Sequence, residues 1–224
     1  MTSPAIRLRH EAIHPVQISV EPALTERNRL TTAFRPLLAI PHLILVGGPI
    51  AMFLSLNPDA QPGTPRYEWG AGGLFGALAA GAALIAWFAI LFTGRYPQGL
   101  RDLVAMYLRW RVRVVAYTAL LRDEYPPFGE GAYPAAIELR PPEGPRDRLT
   151  VGLRPILVIP QLIAVWVIGI AWALTTICAW FAILFTGRYP RGMYDFGVGA
   201  FRWSTRVEAY PLLLHDEYPP FSLA

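Results

Sequence analysis

The chain has 224 residues, a net charge of +4 and a mean hydropathy of +0.34, with 54% of its residues hydrophobic. That is too apolar for an ordinary soluble domain, and a single cysteine, Cys178, excludes an internal disulfide and a cysteine-built metal site. Every Lys/Arg-type residue is arginine, whose planar fork suits phosphate; the arginines flank apolar runs instead of forming a soluble basic face, which argues for an anionic membrane surface and against nucleic acid.

Residues 1–28 read as a polar N-terminal segment with a short strand. Within it "HEAIH" at 10–14 has the spacing of a zinc protease, but Pro15 disfavours helix at His14 and no third ligand follows, so no metal is assigned. The first 34 residues contain no apolar core of a secretory leader, which predicts that the N-terminus stays cytoplasmic. "VQISV" at 16–20 alternates like a strand.

A first unit is read over 29–128. Two uncharged stretches, 36–56 and 70–92, each reach the roughly 20 residues that a bilayer-crossing helix needs. The polar loop "NPDAQPGTPRYE" at 57–68 separates them and holds one arginine, Arg66, where both flanks hold several, which predicts a hairpin with its loop outside. His42 lies in the first stretch and is assigned a hydrogen-bonding role near the interface over a proton relay. Small-residue spacing such as Gly72–Gly76 permits close helix packing, within the chain or in a homo-oligomer. The words Gly94-Arg95-Tyr96-Pro97 close the helix and set an arginine and a tyrosine at headgroup depth.

Next comes an arginine-rich helix over 99–121. At about 100° per residue, Asp102, Arg109 and Arg113 share one face, and Leu103, Tyr107, Trp110 and Val114 lie opposite, with Arg111 the exception on the apolar side. A central arginine is costly in a spanning helix, so this helix is predicted to lie flat in the interface. "DEYPPF" at 123–128 reads as a clasp folded back on it.

A linker at 129–147 carries a second short strand, "AIEL" at 136–139, and a second unit occupies 148–224. Its apolar stretch, 155–185, either crosses once or turns back as a short hairpin; the hairpin is preferred, because it keeps the C-terminus cytoplasmic and the two units equivalent. Gly187-Arg188-Tyr189-Pro190, an interfacial helix over 192–214 cut short by Pro211, and "DEYPPF" at 216–221 complete it.

The second unit repeats the first. "AWFAILFTGRYP" stands identically at 86–97 and 179–190, an offset of 93 that persists to the closing words. Upstream, "RLTTAFRPLLAIP" at 29–41 aligns with "RLTVGLRPILVIP" at 148–160, an offset of 119, so the first unit carries 26 extra residues. The block "AWFAILFTGRYPRGMYDFGVGAFRWSTRVEAY…DEYPPF" resembles the bacterial DUF4389 family, membrane proteins of unknown function. The resemblance implies a bacterial membrane location and supplies no activity.

The expectation is therefore an all-α integral membrane protein, multi-pass in the bacterial cytoplasmic (inner) membrane. It is a tandem repeat of membrane helices, each followed by an amphipathic interfacial helix and preceded by a short β segment. No nucleophile–base pair, phosphate loop or Cys/His cluster is present, so the chain is read as non-enzymatic and without a cofactor. Arg95, Tyr96, Asp102, Arg109, Trp110 and Arg113 in the first unit, and Arg188, Tyr189, Asp195, Arg202, Trp203 and Arg206 in the second, are assigned to lipid-phosphate binding. The competing readings are a solvated polar face with an intrahelical ion pair, docking of a membrane protein partner, and a small transporter or channel component using His42, Asp102 and Asp195.

Overall fold

The computed structural model describes residues 14–48, 72–142 and 146–223. It is mostly helical, with one small two-stranded sheet. The zinc-protease-like word lies outside the described residues except for His14, and so does the polar loop around Arg66.

Strand β1 (Val16–Val20) is followed by α1 (Arg29–Leu38), α2 (Ile40–Val46), α3 (Gly73–Thr93) and α4 (Gln98–Thr118). Strand β2 (Ala135–Leu139) is followed by α5 (Arg148–Leu157), α6 (Ile159–Thr186) and α7 (Arg191–Ala209). Asn28 caps α1 and Asp147 caps α5, each accepting a backbone N–H of the first turn. Pro36 and Pro155 sit inside these helices and remove a donor, and the helices break at Ala39 and Val158. The pair α1–α2 is bent by 45°.

The second unit corrects the hairpin expectation. Helix α6 runs unbroken for 28 residues, because nothing between Gln161 and Thr186 is proline or a polar turn. In the first unit the same length is split: the seven residues of α2 and the 21 of α3 correspond to it, and the 26 additional residues fall between them. The two pieces still meet. A Cβ on Gly73 would come within 2.7 Å of Ile44 O and Gly47 N at the end of α2. The segment expected over 36–56 thus begins earlier, at Arg29, and is helical to Val46; residues 49–56 lie outside the described residues.

Gly94 and Gly187 end α3 and α6 with φ of 73° and 70°, the left-handed cap conformation that glycine adopts without cost. The arginine-rich helices then pack back, α4 on α3 and α7 on α6. They end earlier than the sequence reading, at Thr118 and Ala209, and Leu120 and Leu213 turn with positive φ just beyond.

The sheet was not legible as a pairing. β1 and β2 are antiparallel partners, Val16 opposite Leu139 and Val20 opposite Ala135, although more than a hundred residues separate them. Val16, Ile18, Ala135 and Ile137 point inward; Ser19, Ala136 and Glu138 are exposed. β1 rests on α7 and β2 on α4. The layers are thus an outer apolar tier (α1, α2, α3, α5, α6), a middle tier (α4, α7) and the sheet.

Contacts between the units are reciprocal. Trp87 Nε1 donates to Val151 O at 2.8 Å, and its counterpart Trp180 Nε1 donates to Thr32 O at 2.9 Å. The guanidinium of Arg148 lies over Gly94, and that of Arg29 over Gly187. Arg146 stacks on Tyr96 and Arg27 on Tyr189, at 5.3 and 5.7 Å from the ring centres. This is the pattern of a two-fold interface, in which each patch meets its counterpart.

Candidate functional site

Each closing word pins the helix that opens its own unit. Arg35, on α1, is buried and donates to Tyr117 O and to Arg122 O at 3.0 and 2.8 Å, while its second terminal nitrogen pairs with Asp123. Arg27 joins the same carboxylate, at 2.7 Å. In the second unit Arg154 donates to Tyr210 O and His215 O and pairs with Asp216 at 2.6 Å, with Arg146 at 3.2 Å from the same oxygen. Tyr117 and Tyr210 stack on their arginines, both at 4.6 Å. Burial pushes the Asp123 carboxyl up, but the hydrogen bonds and charges of Arg27 and Arg35 outweigh it and hold it below the usual carboxylate range.

The Tyr-Pro-Pro-Phe tails fold back, as read from the sequence. Phe128 stacks on His42 with ring centres 4.3 Å apart, and Trp110 Nε1 donates to His42 Nδ1 at 3.3 Å. Where the second unit has Gln161, Trp203 Nε1 donates to its Oε1 at 2.9 Å and its Nε2 donates to Pro219 O. His42 and Gln161 are both fully buried.

The residues assigned to phosphate binding divide into two groups. Trp110, Trp203 and Tyr189 are buried, and Tyr96 donates its hydroxyl to Leu212 O. Burial pushes the Tyr96 and Tyr189 hydroxyls up to about 12. Arg113 donates to Gly129 O, Arg202 to Ile18 O, and Arg109 stands 3.5 Å from Glu130. Arg206 lies along the same face of α7, where burial holds its guanidinium below the ordinary value, followed by the charge of Arg202. Asp102 and Asp195 are exposed, Asp195 facing Arg191 at 3.7 Å. These groups do not converge on one groove.

Arg95 and Arg188 do have company. Both are exposed, both follow the glycine that ends an apolar helix, and each glycine is overlain by an exposed arginine of the other unit: Arg148 over Gly94, which precedes Arg95, and Arg29 over Gly187, which precedes Arg188. None of these four forms an ion pair among the described residues. The first turns of α4 and α7 begin three residues after Arg95 and Arg188, at Gln98 and Arg191, and have no side-chain cap on their backbone N–H groups. Arg29 and Arg148 were missed because a helical wheel takes one segment at a time; their matching places in the aligned lead-ins were the available signal.

Arg111 also escapes the face assignment. It is buried, donates to Val46 O, and pairs with Glu208 of α7, which also accepts from the Tyr107 hydroxyl at 3.2 Å. This pair ties α4 to α7 and breaks the two-fold likeness, because Ser204 and Val115 occupy the matching positions. Beside it lies a cavity of about 240 Å³ lined by Val165, Ile168, Trp172, Phe201 and Val207. No group of three or more His, Cys, Asp or Glu able to hold a metal occurs among the described residues.

Two segments, 69–129 and 148–222, match the model of a family described as Domain of unknown function (DUF4389). No curated protein and no solved structure matches the chain.

Proposed function

The chain belongs to the DUF4389 family, and from its geometry we propose that it is a non-enzymatic protein of the bacterial cytoplasmic membrane that holds anionic lipid headgroups at two arginine pairs. One pair is Arg29 with Arg188, the other Arg148 with Arg95. The supporting observation is their placement: four exposed arginines with no carboxylate partner among the described residues, Arg29 over Gly187 just before Arg188 and Arg148 over Gly94 just before Arg95, at the ends of the two apolar helices. Guanidinium forks match phosphate oxygens, and the uncapped N-termini of α7 and α4 add backbone donors and a favourable dipole. The arginine-rich helices then act as the water-side layer that carries these pairs.

A membrane protein partner with an acidic juxtamembrane segment would use the same arginines. The transporter alternative fits less well. It needs His42, Asp102 and Asp195 on one path, whereas both aspartates are exposed and His42 is packed between Trp110 and Phe128.

The test is binding to vesicles of phosphatidylcholine with and without phosphatidylglycerol. Each arginine near an anionic surface contributes about 1 kcal/mol, so Arg29→Gln/Arg188→Gln is expected to reduce the preference for phosphatidylglycerol about thirtyfold. An unchanged preference overturns the assignment.

A further inference from the structure

Two helical segments are long and apolar enough to cross a membrane, Gly73–Thr93 and Arg148–Thr186. Their surroundings argue for a different placement. Exposed large hydrophobics follow the whole second segment, from Leu149 (71% exposed) through Ile163 and Ile170 to Phe185 (77%). The 37 residues from Leu149 to Phe185 rise about 54 Å along the helices, nearly twice the roughly 30 Å of a hydrocarbon core. A standing helix would leave apolar side chains in water at its ends.

The inner side of the same helix points the same way. Trp172, at the middle of α6, packs on Phe201 of α7, with ring centres 6.1 Å apart. The next residue, Arg202, donates to Ile18 O of β1 at 3.2 Å. If α6 stood across the bilayer, Arg202 and an open-edged sheet carrying exposed Ser19 and Glu138 would lie near mid-depth. Lipid tolerates no open sheet edge, and a mid-depth arginine or acid costs several kcal/mol.

The reciprocal ends complete the argument. The segment α5–α6 starts with Arg148 at Gly94 and ends at Gly187 beside Arg29, and α1–α2–α3 runs the opposite way. The two arginine pairs therefore sit at opposite ends of the long helices. Standing helices would put them on opposite faces of the membrane; flat helices put both at one headgroup depth, with the two-fold axis along the membrane normal.

We propose that the described helices lie flat in a single leaflet: α1, α2, α3, α5 and α6 immersed by their exposed apolar faces, Arg29/Arg188 and Arg95/Arg148 at the rim, and α4, α7 and the sheet on the water side. The occupant of the apolar surface is lipid, and the proposal rests on the lipid-facing reading above. It accounts for the equivalence of the two units without a hairpin in the second. The charged groups of α1 and α5 agree with it: Arg35 and Arg154 point inward to Asp123 and Asp216, and the exposed faces of these helices beyond Arg29 and Arg148 are apolar.

The experiment uses the full chain in phosphatidylethanolamine/phosphatidylglycerol vesicles, with Cys178→Ser and single nitroxide-labelled cysteines at Ile163, Ile170, Ile177 and Phe185, all exposed. Immersion depth is read from oxygen and nickel-chelate accessibility. All four sites are expected at one shallow depth, about 5–10 Å below the headgroups. A depth that changes by about 1.5 Å per residue along the series, some 33 Å from end to end, overturns the proposal. A membrane-impermeant maleimide gives an independent readout at Gln98→Cys, Gly192→Cys and Ser19→Cys. Labelling of all three from the same side agrees with it, and labelling of Gln98→Cys and Gly192→Cys from opposite sides overturns it. A depth gradient together with an intact phosphatidylglycerol preference removes only the flat placement. A flat profile with no such preference removes only the phosphate assignment.

Discussion

At the residue scale the fold is held by two buried arginines that meet their partners only in three dimensions. Removing one partner of a buried pair leaves an uncompensated charge and costs about 3–5 kcal/mol. Asp123→Ala is therefore expected to lower stability by about that much in detergent-solubilised thermal unfolding, and Asp216→Ala by less, since its side chain is 36% exposed against 24% for Asp123. A loss below about 1 kcal/mol for Asp123→Ala contradicts the clasp. His215 sets a second signature. Burial, followed by the charge of nearby His14, pushes its imidazole down to about 4 from an ordinary 6.5. Below pH 6.5 the unfolded chain takes a proton that the folded chain refuses, so stability is full above 6.5 and declines toward pH 4. His215→Gln should flatten that slope, and an unchanged slope assigns it to other groups. Little of this was legible in the sequence. Arg35 and Arg154 sit in the repeated lead-ins and drew no assignment from the sequence, because nothing local reveals that Asp123 and Asp216 lie within reach. Trp110 and Trp203, assigned from the sequence to lipid phosphate, pack inward on His42 and Gln161 instead.

At the element scale the duplication was the most informative feature, and it explains where the hairpin expectation departs from the structure. Preference for a turn in the second unit rests on keeping the copies equivalent, whereas the residues between Gln161 and Thr186 offer no helix breaker, and local physics decides. Read the other way, α6 shows what the first unit would be without its insertion. Deleting residues 47–72 joins Val46 to Gly73 as Val165 joins Trp166. The deletion variant is expected to fold, with wild-type helical content by circular dichroism and a midpoint within a few degrees; failure to accumulate would show that the insertion is structural. The glycine caps are less forgiving. A side chain at Gly187 meets both a φ of 70° and the Arg29 guanidinium, 3.3 Å from the new Cβ. Gly187→Ala should cost about 1–2 kcal/mol and weaken phosphatidylglycerol binding with it, by displacing Arg29. Normal binding in that variant would separate the arginine from its glycine shelf.

At the scale of the whole molecule the two units form a reciprocal pair, and its polarity follows from the layers. Length and apolarity made 73–93 and 155–185 legible as membrane segments, and the multi-pass expectation rested on those two properties alone, which do not set how a helix lies in the membrane. The sheet, the inward arginines and the exchanged lead-ins depend on contacts between distant parts of the chain, which periodicity does not encode. Two equal rims imply two equal lipid sites per chain, each built from both units. The most direct test counts them: native mass spectrometry of the protein released from native lipid discs, comparing wild type with Arg29→Gln/Arg188→Gln and with all four arginines replaced by glutamine. Two bound anionic phospholipids in the wild type, one in the double variant and none in the quadruple variant are the predicted result. An anionic lipid count that is the same in all three contradicts the account.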